Sequence, residues 1–137
     1  MHLFPSAEWL AAFKDAINAN SRYQAAAKAW TYGPVALLIK ADPTRGLAES
    51  KGLWLDLDRG ICRDARLVGS EEATRAPFCI LGEYDRWKQV IGKELDPIKG
   101  MMQRKLELRG QMSTLVRFVQ AAKELVESSQ QVPTRFL

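Results

Sequence analysis

The sequence predicts an α+β domain: a five-stranded, mainly antiparallel sheet with helices over one face or end. Three observations carry that reading. Apolar residues recur every four positions near the amino terminus (Trp9, Phe13 and Ile17), alternate with period two through the middle, and return to helical spacing at the carboxy end. The short strands are clustered and separated by hairpin and turn signals, as when helices pack against one antiparallel sheet.

The elements follow in order. Ser6, after Phe4-Pro5, is placed to cap the first helix, and Glu8 lies in its first turn, where a carboxylate favours the helix dipole. Asn18-Ala19-Asn20 breaks that helix, and an alanine-rich second one is expected over about Tyr23 to Trp30. Val35, Leu37 and Ile39 then alternate with Ala36, Leu38 and Lys40. Both sets are mostly apolar, as in a strand covered on two faces. Beyond the turn Asp42-Pro43-Thr44-Arg45-Gly46, Leu53, Leu55 and Leu57 share one face of a second strand, and Trp54, Asp56 and Asp58 the other. Asp58-Arg59-Gly60 reads as a hairpin turn into a third strand, Ile61 to Leu67, and a fourth spans Pro77 to Leu81 before Gly82.

In the carboxy-terminal part, Asp85 is expected to cap a short helix bearing Trp87, Val90 and Ile91, which Gly92 ends. Asp96-Pro97 starts another with the preferred cap and first-turn proline. Lys105 to Arg109 alternates as a fifth strand, Leu106 and Leu108 pointing inward, and Gly110 closes it. A final helix, Gln111 to Glu127, carries Met112, Leu115, Val116, Val119, Ala122 and Val126 as a wide apolar stripe.

The chain has 137 residues, 47% hydrophobic and 26% charged, the make-up of one globular domain spanning 1–137. No apolar run exceeds five residues, the length of Val35 to Ile39, far short of the ~20 residues of a membrane span. No basic segment followed by a hydrophobic run opens the chain, so a cytoplasmic location is expected. Cys62 and Cys79 make neither a disulfide framework nor a zinc cluster. His2, the only histidine, sits where chains fray, which removes most imidazole catalysis and metal binding. No P-loop or dinucleotide fingerprint occurs and no cofactor is expected.

Of the candidates for chemistry, Asp56 and Asp58 share one strand face and could divide acid and base roles. They also lie beside Lys51, Arg59 and Arg63, as solvated strand-end charges do. The whole net charge of +4 resides between Arg86 and Arg109, which holds seven basic residues and three acidic ones. Such a region attracts phosphates, carboxylates or an anionic membrane surface, or is simply a solvated face. With Trp87 as its one aromatic residue, it lacks the stacking pattern of specific nucleic-acid binding.

Met101, Met102 and Met112, the three methionines beyond Met1, flank the fifth strand. Methionine suits surfaces that adapt to several apolar shapes. With Leu95, Ile98, Leu106, Leu108, Leu115, Val116 and Val119 they either wall an apolar cavity between sheet and final helix or fill an ordinary core. Composition leaves both open. An accessory domain that presents an apolar patch to a protein partner is the alternative to a ligand carrier.

The run Tyr84-Asp85-Arg86-Trp87, then Gly92, then Leu95-Asp96-Pro97, then Met101 to Gly110, followed by an amphipathic helix, resembles the sterol carrier protein family of non-specific lipid-transfer domains. Ser6-Ala7-Glu8-Trp9 resembles the opening of its stand-alone prokaryotic members. The resemblance implies a hydrophobic tunnel and non-catalytic binding and transfer of a long-chain lipid: a fatty acid, fatty acyl-CoA, sterol or phospholipid. On that reading Ile80 and Trp87 join the residues above as the ligand wall. Lys99, Lys105 and Arg109 are expected at an anionic head group, with transient contact to an anionic membrane surface. Release of cargo then requires the final helix or the Val132-Pro133-Thr134 tail to move. In one departure, Arg104 stands where the family usually has a glycine.

Overall fold

A computed structural model describes residues 1–137. Its strands are β1 (His2–Phe4), β2 (Val35–Ile39), β3 (Lys51–Asp58), β4 (Ile61–Val68), β5 (Phe78–Gly82), β6 (Glu107–Arg109) and β7 (Thr134–Phe136). Its helices are α1 (Ala7–Asn18), α2 (Ser21–Ala26), α3 (Ser70–Ala73), α4 (Tyr84–Ile91), α5 (Pro97–Met102), α6 (Met112–Leu115) and α7 (Val119–Gln130).

Five strands form one sheet in the order β4-β3-β2-β5-β6. Three pairings are antiparallel, but β2 and β5 run parallel, so the sheet is mixed. The reason is the path of the chain. The β3–β4 hairpin ends at a sheet edge, and α3 carries the chain back across β3 and β2 to lay β5 beside β2 in the same direction. The hairpin turn is as expected: Arg59 and Gly60 both have positive φ, 50° and 86°, the geometry of a type I′ turn.

Local signals set the helix starts. Ser6 Oγ accepts the Trp9 N–H at 3.1 Å, and Asp96 accepts those of Ile98 and Lys99 at 2.8 and 3.1 Å. Asp85 is not a cap: α4 already begins at Tyr84. The second helix also begins and ends earlier than its alanines suggest, because Asn20 caps it through the N–H groups of Arg22 and Tyr23.

The two faces of the sheet are covered differently. Val35, Ile39, Leu53, Leu55, Leu57 and Ile80 belong to an inner core of 28 buried residues shared with α1, α2 and α4 to α7. Ala36 and Leu38 alternate to an outer cluster of seven with Val68, Ala73, Ala76, Cys79 and Leu81. Strand β2 is thus apolar on both sides because both sides are buried.

Two features depart from the sequence reading. His2 is not in a frayed end, since β1 pairs in parallel with β7, His2 opposite Thr134. Tyr84 ties this pair down: its hydroxyl donates to the Phe4 carbonyl at 2.9 Å and accepts the Leu137 N–H at 2.8 Å. The tail is therefore held, and Val132 is buried. The final helix, expected to be continuous over Gln111 to Glu127, breaks into α6, a 3-10 turn at Val116–Phe118, and α7. The break brings Phe118 against Trp30 at 5.0 Å, edge to face. The ring is half-buried against the inner core, a larger apolar contact than Val116 offers, and Val116 is left exposed.

Candidate functional site

On the inner face the side chains do not fully meet. Leu53, Leu55 and Leu57 of β3, Val35 and Leu37 of β2 and Ile80 of β5 look toward Leu115, Phe118, Ala121, Ala122, Leu125 and Val126 along α6 to α7. Between them lies a cavity of about 120 Å³. Of its 25 lining residues only Pro97 and Ser129 are not hydrophobic, and the Ser129 hydroxyl is already spent on the Val126 carbonyl at 2.6 Å. Apolar voids of about 150 Å³ stay dry and accept a benzene-sized guest. This one has the same order of size and the same chemistry.

Rigid rings hold the space open. Three tryptophans stand in its wall, each fixed by its indole N–H: Trp9 to Thr134 Oγ1 at 2.8 Å, Trp30 to the Gly33 carbonyl at 2.9 Å, and Trp87 to the Leu38 carbonyl at 3.0 Å. A satisfied donor gives a buried indole one preferred orientation, so the rings cannot easily swing in to fill the gap. Ala27, Ala121 and Ala122 are too short to do so. Gly82 lets Trp87 come this close to the sheet: a Cβ there would stand 3.0 Å from the indole nitrogen and 2.5 Å from Leu106 Cδ2.

The wall is uncharged at neutral pH. Burial pushes the Tyr23 phenol well above its ordinary value, helped by nearby Cys62. Cys62, buried in the inner core but off the cavity lining, is likewise pushed up by burial, to about 11. Desolvation favours the neutral form of both groups.

Of the residues expected at a ligand, Ile80, Trp87, Ile98, Met101 and Leu115 line this cavity. Leu95 is buried in the inner core away from it, Val119 is half-buried off the lining, and Met102 and Val116 are exposed. Leu106, Leu108 and Met112 line a second space, a surface groove of about 710 Å³ outside the carboxyl ends of β2 and β5. Met101 borders both spaces. Lys105 lines the groove, together with Lys40, Arg86, Arg104, Glu83 and Glu107. Lys99 is exposed on α5 and off the groove lining. Arg109 pairs with Cys79 and so points to the outer face, 4.0 Å from Glu107.

Asp56 and Asp58 also stand on the outer face, across the sheet from the cavity. Arg63 holds Asp56 through two hydrogen bonds of 3.0 and 3.2 Å. Sequence reasoning missed Trp30, Phe118, Leu125 and the β3 leucines as cavity wall. The β3 alternation did mark Leu53, Leu55 and Leu57 as one face. Which face looked onto empty space depended on where α7 came to lie.

Comparison with known proteins gives a consistent result. The SCP-2 sterol transfer family matches residues 12–123. A crystal structure of sterol carrier protein 2 superposes with TM-score 0.85 at 32% identity, covering 93% of this chain and 97% of that one. A solution structure from Thermus thermophilus, a conserved hypothetical protein described as possibly a sterol carrier protein, gives 0.87 at 33% identity, covering 98% and 92%. The apo form of sterol carrier protein 2 from Yarrowia lipolytica shares the fold, with TM-score 0.58 at 16% identity over 93% and 94%. No curated protein matches the sequence.

Proposed function

The chain belongs to the SCP-2 sterol transfer family, a family of lipid-binding and lipid-transfer domains, and we propose that it is a non-catalytic carrier that takes the tail of a long-chain lipid into the inner-face cavity. The observation that carries this reading is the cavity itself, which lies between sheet and helices and is lined almost wholly by hydrocarbon. Each methylene moved from water into such a site contributes about 0.8 kcal/mol, so a long tail binds without polar recognition. A void of about 120 Å³ takes only part of such a tail as it stands. The rest is accommodated by the wall giving way, and Met101, flexible and unbranched, is the side chain best suited to yield. Ile80, Trp87, Ile98 and Leu115 then contact the tail inside, while Leu106, Leu108 and Met112 meet the part of the ligand nearer the groove. The carrier works in the cytoplasm and meets anionic membrane surfaces only to exchange cargo.

The test is solvent extraction of freshly purified protein followed by lipid mass spectrometry, with displacement of a fluorescent fatty acid as the quantitative assay. Co-purified lipid and protection of the probe are expected. Leu115→Trp places a large ring in the cavity and is expected to lower probe affinity on the order of tenfold, equivalent to about 1.4 kcal/mol, while the variant still unfolds cooperatively. Unchanged affinity in a folded Leu115→Trp protein places the ligand elsewhere.

A further inference from the structure

We propose that the groove outside the carboxyl ends of β2 and β5 is a head-group site for a phosphomonoester, joined to the cavity past Met101, so that the cargo is a single-chain lipid ending in phosphate. The inference rests on the carrier reading and specifies the ligand class. Four cations line the groove: Lys40, Arg86, Arg104 and Lys105. Two carboxylates, Glu83 and Glu107, accompany them, which leaves two positive charges in excess. None of the four cations takes part in an ion pair of the kind that holds Arg45, Arg63, Arg66 or Arg75, and Glu107 reaches only Arg109, on the outer side.

The excess matches a phosphomonoester, which carries about −1.5 to −2 charges at neutral pH, better than a carboxylate with one. Two of the four are arginines, whose planar fork binds phosphate oxygens in pairs. Arg104 is held with φ 60°, a left-handed conformation that favours glycine, yet a charged side chain occupies it at the groove's rim. Continuity supplies the tail. Met101 is buried and borders groove and cavity together, so a chain whose head rests among the cations reaches the leucines of β3 by displacing one flexible thioether.

The experiment compares decyl phosphate, decanol and inorganic phosphate below micellar concentration, by calorimetry and tryptophan fluorescence. Decyl phosphate is expected to bind tenfold or more tighter than decanol, on the order of one charge-assisted hydrogen bond. The triple variant Arg86→Gln, Arg104→Gly, Lys105→Gln is expected to bring decyl phosphate down to the decanol affinity and leave decanol unchanged. Glycine relaxes the backbone at 104, and a thermal scan checks the fold. Lys99→Gln with Arg109→Gln, off the groove, is expected to change neither ligand. Equal wild-type affinity for decyl phosphate and decanol overturns the head-group site but leaves the cavity reading intact. Decyl phosphate binding no tighter than inorganic phosphate overturns the link between groove and cavity. Failure of decanol to bind, with decyl phosphate still bound, removes the carrier reading instead.

Discussion

The two faces of one sheet have met their helices on different terms. On the outer face a single short helix, α3, lies directly on β2 and β3, and four of the seven buried residues there are small, Ala36, Ala73, Ala76 and Cys79, with Leu38, Val68 and Leu81 packed around them and Gly52 beneath. On the inner face the covering helices stand off on tryptophan, phenylalanine and leucine side chains, and a void persists where the rings prop them apart. Small residues let backbones approach until nothing is left between them. Large ones make a bigger core but, fixed by their own hydrogen bonds and edge contacts, leave space that no neighbour is free to fill. The hollow face is thus walled by large, fixed side chains, while on the solid face small residues let the helix close onto the sheet.

That contrast can be broken most severely on the solid side. At Gly52 a Cβ alone would stand 2.7 Å from Val68 Cγ2 and 2.8 Å from the Ala73 Cβ. Gly52→Val is therefore expected to destabilise the fold by about 3 kcal/mol, read from urea unfolding, with the binding of any ligand affected only through loss of folded protein. On the hollow side the same kind of enlargement does the reverse. Ala122→Leu adds bulk to the cavity wall and is expected to raise stability slightly, by less than about 1 kcal/mol, while weakening binding of a fluorescent fatty acid. Comparable destabilisation by the two substitutions would mean that the inner face is as tightly filled as the outer.

The smallest effect concerns the inner-face thiol. Burial raises Cys62 from its ordinary value of 9.0 to about 11. The unfolded chain releases this proton first as pH rises, so the stabilisation is complete below about pH 9 and is lost progressively toward pH 11. Stability measured across that interval is expected to fall with pH, and Cys62→Ala to fall less steeply. Identical slopes would show that the site is more hydrated than its burial implies.

Much of the fold was legible in residues a few positions apart. Ser6 and Asp96 cap the helices they were expected to cap, Arg59-Gly60 makes the hairpin turn, and β2 is buried on both faces as its unbroken apolar run implied. The carboxy-terminal motif also sufficed to bring the family into view. Failures came where distant partners decided the outcome. The parallel β1–β7 pair joins residues from opposite ends of the chain, and no local pattern at His2 announces it. The single stripe expected along the last helix is interrupted, because Trp30 captures Phe118 and turns the chain at Val116–Phe118.

The candidate site divides the same way. Ile98, Met101 and Leu115 were identifiable as apolar residues near the strand now β6, and Ile80 and Trp87 through the family resemblance, but their separation from Leu106, Leu108 and Met112 into cavity and groove was not. The sequence by itself determined which residues are apolar, how they repeat, and hence which elements form and which faces they bury. Tertiary structure alone decided that the inner face is hollow and that Lys40, Arg86, Arg104 and Lys105 line a groove beside it. Periodicity is a property of neighbours along the chain. Emptiness is a sum of volumes over residues from every element, and it exists only once those elements have taken their final distances.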